Sequence, residues 1–221
     1  MAIKKNDFIE IDYIGRIKGT NMVFDLTSEE AAKKANIHNP KIPYKPRVIC
    51  VGNGDVVKSL DESFIGKETG KDYKIELHNP FGEKNPSMVK VVPSTKFTNE
   101  RIRPFPGLQI NADGMLATIR SVAGGRVTLD FNHPLAGKDV VYDIKVNKIV
   151  NDNSIKLKSM VENLLGEAED HFKVEEKDDI FNIKLKHDIN KVLKDKFIEK
   201  AKELIFNIKL EFIVEEKNIK E

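Results

Sequence analysis

The feature that most limits what this chain can fold into is period-two alternation of apolar and polar side chains. From Ile9 onward, Phe8-Ile9-Glu10-Ile11-Asp12-Tyr13-Ile14 alternates. Successive side chains of a strand point to opposite faces, so such a run suits a sheet with one face covered and one wet. Residues 71–77 alternate in the same way, and residues 140–150 read as a final strand. The chain must therefore build a half-buried sheet from segments far apart in sequence.

Between these runs the punctuation is equally informative. Residues 17–24 resemble a second strand, with Lys18-Gly19-Thr20-Asn21 as turn chemistry between the two strands. Thr27-Ser28-Glu29-Glu30 forms a capping box ahead of Ala31, Ala32 and Ala35, which predicts a short surface helix. A loop with Pro40, Pro43 and Pro46 follows. Val48-Ile49-Cys50-Val51 is a short buried strand broken by Gly52-Asn53-Gly54. Residues 56–65 then have helical spacing closed by Gly66, with Asp61 and Glu62 as solvated helix residues. Residues 86–130 are rich in Val, Pro and Gly. Strand-like pieces at 89–92, 115–122 and 126–130, the last two joined by Ala123-Gly124-Gly125, make this a small β-rich unit.

Residues 151–221 form a different module. Leu157, Met160, Val161, Leu164 and Leu165 give a helix an apolar face, with Gly166 as its stop. A hairpin is expected over 172–185 about Lys177-Asp178-Asp179. Asp188 would cap a second helix carrying Ile189, Val192, Leu193, Phe197, Ala201 and Leu204, and a last strand would run over 206–214. Ile180-Phe181-Asn182-Ile183-Lys184-Leu185 recurs as Ile205-Phe206-Asn207-Ile208-Lys209-Leu210, and Val174-Glu175-Glu176-Lys177 as Val214-Glu215-Glu216-Lys217. The echo reads either as coincidence in a biased composition or as two similar strands in one sheet, with an edge open to another subunit.

Several functional classes are excluded. A net charge of +2 gives no electrostatic case for nucleic acid or an anionic membrane. The N-terminus has no apolar signal region, and no stretch approaches the roughly 20 apolar residues that span a bilayer. One cysteine, Cys50, allows no intrachain disulfide, which fits a cytoplasmic protein. His38, His78, His133, His171 and His187 are scattered, so no metal site and no cofactor are expected. No phosphate loop, Ser-His-Asp order or Cys-His pairing is present.

Taken together, Asp12-Tyr13-Ile14-Gly15, Phe24-Asp25, Gly52-Asn53-Gly54-Asp55-Val56-Val57 and Phe81-Gly82 occur in the order and approximate spacing of FKBP-type peptidyl-prolyl cis–trans isomerases. The run Asp130-Phe131-Asn132-His133-Pro134-Leu135-Ala136-Gly137-Lys138 resembles the signature that closes the inserted domain of the SlyD-like branch. The resemblance covers about residues 3–150 and is similar to the long archaeal form with an extra C-terminal domain. It implies an α+β fold: an FKBP-like twisted antiparallel sheet around a short helix (1–85 plus 131–150), a small β-rich insert-in-flap chaperone domain (86–130) and a C-terminal α+β domain (151–221).

By the same resemblance, Tyr13, Asp25, Val57, Phe81 and Tyr142 would be catalytic. Phe24, Ile49, Val56 and Leu60 would wall the pocket, and Val89, Val91, Val92, Phe97, Leu108, Met115 and Leu116 of the insert would touch clients. The chemistry suits such residues. Rotating an X–Pro bond breaks no covalent bond, and its twisted transition state has lost amide resonance and part of its dipole, so a dry apolar cavity favours it. The Val57 N–H would hold a substrate carbonyl, and Asp25 would orient rather than act as a base. Leu60 stands where many short members have Trp, and Phe81 where Tyr is usual, which removes a phenolic hydrogen bond to substrate or macrolide. Expected partners are unfolded chains with X–Pro bonds and a second copy of this chain through 151–221. The alternative is a non-catalytic holdase or adaptor with a vestigial pocket.

Overall fold

In the computed structural model, which describes residues 1–214, alternating segments become strands wherever one face can be covered. The first half of the chain holds β1 (Phe8–Ile17), β2 (Val23–Leu26), α1 (Glu29–Lys34), β3 (Arg47–Cys50), α2 (Lys58–Ser63) and β4 (Lys71–Leu77). Then come β5 (Val89–Pro93), α3 (Thr95–Asn99), β6 (Gln109–Ala112), β7 (Met115–Ala123), β8 (Arg126–Asp130) and β9 (Val140–Ile149). The C-terminal stretch adds α4 (Asn153–Met160), β10 (Phe172–Lys177), β11 (Ile180–Leu185), α5 (Lys191–Leu204) and β12 (Leu210–Val214). This is a mixed α+β protein with largely antiparallel sheets and few helices.

The chain packs as two units, one of Met1–Glu76 with the chain from Val141 onward, the other Leu77–Val140. The first unit is built on a sheet of order β2-β1-β9-β4, with β3 also pairing β1. Strand β1 runs past the alternating run that ends at Ile14, through Gly15 to Ile17, with a register shift between Gly15 and Arg16. In α1, the Ser28 hydroxyl accepts from the Ala31 amide at 3.3 Å. Thr27 is drawn elsewhere: buried, it accepts from the Tyr13 amide at 2.9 Å and donates to Asp12 at 3.0 Å.

Asp61 departs from the expectation of a solvated helix carboxylate. It is 3 % exposed and accepts from the amides of Gly52 at 2.8 Å and Gly54 at 3.0 Å. Two glycines with φ of 83° and 82° leave the turn's donors converging on one point, and the first turn of α2 supplies the acceptor.

A second three-stranded sheet, β10-β11-β12, belongs to the first unit. Its hairpin turns at Asp178 and Asp179, both at positive φ as a two-residue primed turn requires. Two expectations move. Helix α5 is capped by Asn190, whose side chain accepts from the Val192 amide at 2.8 Å, while Asp188 pairs with Lys194 at 2.5 Å. The last strand begins at Leu210 instead of 206, and Phe206 is 88 % exposed. The repeated hexapeptide therefore adopts two structures: residues 180–185 are β11, whereas 205–210 leave a helix, turn at Asn207 (φ 54°) and enter β12. Strands β11 and β12 pair in parallel, Phe181 opposite Leu210. The Glu215–Lys217 end of the other echo lies outside the described residues.

The C-terminal elements share one core with the first sheet. Leu157, Met160, Val161, Phe181, Ile183, Leu185 and Phe197 pack in one cluster with Phe8, Cys50 and Val150.

The Leu77–Val140 unit has its own four-stranded antiparallel sheet, β5-β8-β7-β6, over a core of Phe97, Ala117, Ile119, Val127 and Leu129. Helix α3 and strand β6 go beyond the expected pieces. Asp113-Gly114, with φ of 53° and 80°, makes the hairpin turn that joins β6 to β7.

Candidate active site

Four of the expected pocket residues meet on the first sheet. Tyr13 and Tyr142 are 7 % and 5 % exposed, and their rings lie edge to face at 6.0 Å. Phe24, half-buried on β2, meets Tyr142 edge to face at 5.7 Å. Such geometry sets each ring's positive edge against its neighbour's negative face. Glycine is what lets the rings pack so closely. A Cβ at Gly15 would lie 2.8 Å from Phe24 Cζ and 3.0 Å from the Tyr142 ring. The role of Gly15 in its motif is thus close ring approach.

One polar pair closes this aromatic wall. The Tyr13 hydroxyl donates to Asp25 Oδ2 at 2.9 Å, and Asp25 itself is exposed. Burial, reinforced by the Asp25 charge and hydrogen bond, pushes the Tyr13 phenol up to about 12. Burial raises the Tyr142 phenol as well, with Asp25 adding to it. Both phenols stay protonated at neutral pH, so Tyr13 is a permanent donor to the carboxylate.

The remaining predicted residues have distinct places. Ile49 is fully buried on β3, paired opposite Ile9. Leu60 is 2 % exposed in α2, and Val56 and Val57 are half-buried just before it. Val57 is the N-cap residue of α2: its carbonyl accepts from Leu60 and Asp61, while an amide at that position has no acceptor within the helix. Among the described residues no group of three or more His, Cys, Asp or Glu could hold a metal ion. No helix among them is long and apolar enough to cross a membrane.

Phe81 belongs to the Leu77–Val140 unit, where its ring stacks on His133 at 4.8 Å and 6°. The 130–138 run, with Asp139 just after it, ties the two chain passages of that unit together. Asn132 accepts from the Asn85 amide at 2.7 Å and donates to the Asn85 carbonyl at 3.0 Å and to Asp130 at 2.7 Å. Gly137 donates to the Gly82 carbonyl, and Asp139 accepts from the Asn79 amide. The motif's side chains thus act as a clasp. Of the client contacts expected in this unit, Phe97 is a core residue at 5 % exposure, Leu108 packs against the same core, and Val89 and Val92 are half-buried. Val91, Met115 and Leu116 are exposed, and so is Phe105, which sequence reasoning left out.

Comparison with known proteins gives the family of the chain. The chain is 35% identical over 149 residues to the short-type peptidyl-prolyl cis-trans isomerase of Methanocaldococcus jannaschii, covering 66% of this chain and 94% of that protein. The chain belongs to the FKBP-type peptidyl-prolyl cis–trans isomerase family. It is also 28% identical over 108 residues to the probable FKBP-type 16 kDa isomerase of Pseudomonas fluorescens, covering 46% of this chain and 71% of that protein. To the SlyD isomerase of Treponema pallidum it is 24% identical over 104 residues, 44% of this chain and 58% of that protein. The family model described as FKBP26, IF domain, matches residues 90–135, which lie within the second unit of this FKBP-type chain.

Proposed function

We propose that this chain catalyses cis–trans isomerisation of X–Pro bonds at the aromatic wall of the first sheet. The observation that carries this reading is the Tyr13–Asp25 hydrogen bond, set among the rings of Phe24 and Tyr142 with only its carboxylate end exposed. The uncatalysed rotation has a barrier of about 18–20 kcal/mol because the planar amide must lose its resonance. A twisted prolyl amide is less polar than a planar one, so apolar rings favour it. The Tyr13–Asp25 pair would orient the substrate amide, and the Val57 amide would hold a neighbouring carbonyl. Ile49, Val56 and Leu60 complete the pocket in this reading, with the sheet wrapped on α2 as in the family. No metal or cofactor enters the chemistry, and the single buried cysteine agrees with a cytoplasmic setting.

The test is exchange of a short prolyl peptide followed by magnetisation-transfer NMR. Asp25→Leu and Tyr142→Leu should each lower kcat/KM by about tenfold or more, equivalent to about 1.4 kcal/mol of transition-state stabilisation. Full activity in both variants would rule this site out.

The Leu77–Val140 unit, in this proposal, captures unfolded clients. The exposed side chains of Val91, Phe105, Met115 and Leu116 support that role, since apolar groups left in water gain by covering the apolar segments of an unfolded chain. Self-association through residues 151–221 is proposed on similar grounds: Val192, Leu193 and Phe206 are exposed, as are Ile213 and Val214 of β12. Deleting 151–221 is a poor test, because it would uncover the core shared with Phe8 and Cys50. Leu193→Glu in the full chain should instead halve the molar mass measured by light scattering. An unchanged mass would remove the proposal.

A further inference from the structure

We propose that Arg47 and Asn163 are positioning residues for the prolyl site, Asn163 holding the Arg47 guanidinium where it sets the Tyr13–Asp25 pair. This rests on the isomerase reading and extends it to residues that no motif of the family names. Strand pairing places Arg47 directly opposite Ile11, so the two share a face of the sheet, and Tyr13, two residues on, is the diagonal neighbour. Diagonal pairs are within reach of long side chains. The Arg47 fork then has two further holds. Nη2 donates to the Asn163 side-chain oxygen at 2.9 Å and to the Asp55 carbonyl at 3.4 Å, just ahead of Val56 and Val57.

Asn163 is well suited to this task. Its other amide arm donates to the Val48 carbonyl at 3.1 Å, so both arms grip β3. It sits in a single π-helical turn, Val161–Leu165, that ends at Gly166 with φ 70°. Such turns put an extra residue into a helix and re-aim its side chains, a device common at functional sites. Tyr13, Arg47 and Asn163 line one cavity of about 890 Å³. The Arg47 charge also bears on the phenol, drawing the Tyr13 titration down against burial. A residue from the C-terminal part of the chain thereby bears on chemistry that the first sheet performs.

Full-length Asn163→Ala, Asn163→Asp and Arg47→Lys decide the matter, assayed on a short prolyl peptide beside thermal unfolding. Losing one hydrogen bond to a charged group should lower kcat about tenfold or more in Asn163→Ala, with KM within about twofold of the parent. Arg47→Lys loses the fork and should match it. Asn163→Asp keeps the acceptor and should recover most of the rate. An active parent whose kcat survives Asn163→Ala refutes the inference alone, as does a loss that only tracks the unfolded fraction. A parent with no isomerase activity refutes the functional reading, and the inference with it.

Discussion

Gly15→Ala is the sharpest single perturbation of the aromatic wall. The new Cβ would sit 2.8 Å from Phe24 Cζ, about 0.7 Å inside the optimal carbon–carbon separation of about 3.5 Å, and 3.0 Å from the Tyr142 ring. Both neighbours are ring atoms of packed side chains, so relief requires moving the rings. Overpacking of this kind costs about 1–3 kcal/mol. Alanine also lowers the entropy of the unfolded chain, which returns about 0.4–1 kcal/mol. The collision wins, and a net loss of about 1–2 kcal/mol is expected from urea unfolding. That is survivable for a fold with a typical stability of about 5–15 kcal/mol. The isomerase assay should suffer more, because Phe24 and Tyr142 are the surfaces the prolyl ring would touch: kcat/KM should fall at least about tenfold. Gly19→Ala is the control. Gly19 has φ +90° and nothing within 4 Å of a built Cβ, so it should cost about 1 kcal/mol of stability and leave activity alone. If Gly15→Ala keeps parental kcat/KM, or behaves like Gly19→Ala, the rings do not form the working surface.

Three further outcomes follow from the same contacts. The raised Tyr13 titration means that the folded state holds its proton more tightly than the unfolded state. That stability is present below pH about 10 and lost as pH rises toward about 12, by up to about 1.4 kcal/mol per pH unit; alkaline unfolding of Tyr13→Phe should be correspondingly flatter. Asp61→Ala strips two glycine amides of their buried acceptor and should cost about 2–4 kcal/mol by urea unfolding, whereas Glu62→Ala, on the exposed side of α2, should cost less than about 0.5 kcal/mol. Leu116→Asp should leave peptide turnover intact and slow catalysed refolding of an unfolded protein, so equal refolding rates would dismiss the client-capture role.

The legible part of this fold was the part encoded locally. Alternation located β1, β4 and β9, and Asp178-Asp179 announced its own turn because short carboxamide and carboxylate residues tolerate positive φ. Asp113-Gly114 carried an equally strong hairpin signal, but β6 is four residues long and its alternation is too brief to read. The identical hexapeptides at 180–185 and 205–210 mark the limit of local encoding. One is a central strand and the other a helix exit, because their neighbours differ and their sequences do not. At the site, Tyr13, Phe24, Asp25 and Tyr142 were nameable by resemblance, and they do come together. Thr27, Arg47, Asp61 and Asn163 were not. Each acts through a hydrogen bond to residues that folding brings near, and nothing in the spacing of Asn163 foretells a contact with Arg47, 116 positions away.

The most direct measurement is refolding of a protein whose slow phase is limited by one prolyl bond, followed with substoichiometric amounts of this chain. The isomerase account predicts that the slow rate rises in proportion to the amount added, and that Asp25→Leu cuts the acceleration by about tenfold or more without removing protection against aggregation. A slow phase unchanged by the parent chain, alongside suppressed aggregation, would contradict it and leave a holdase.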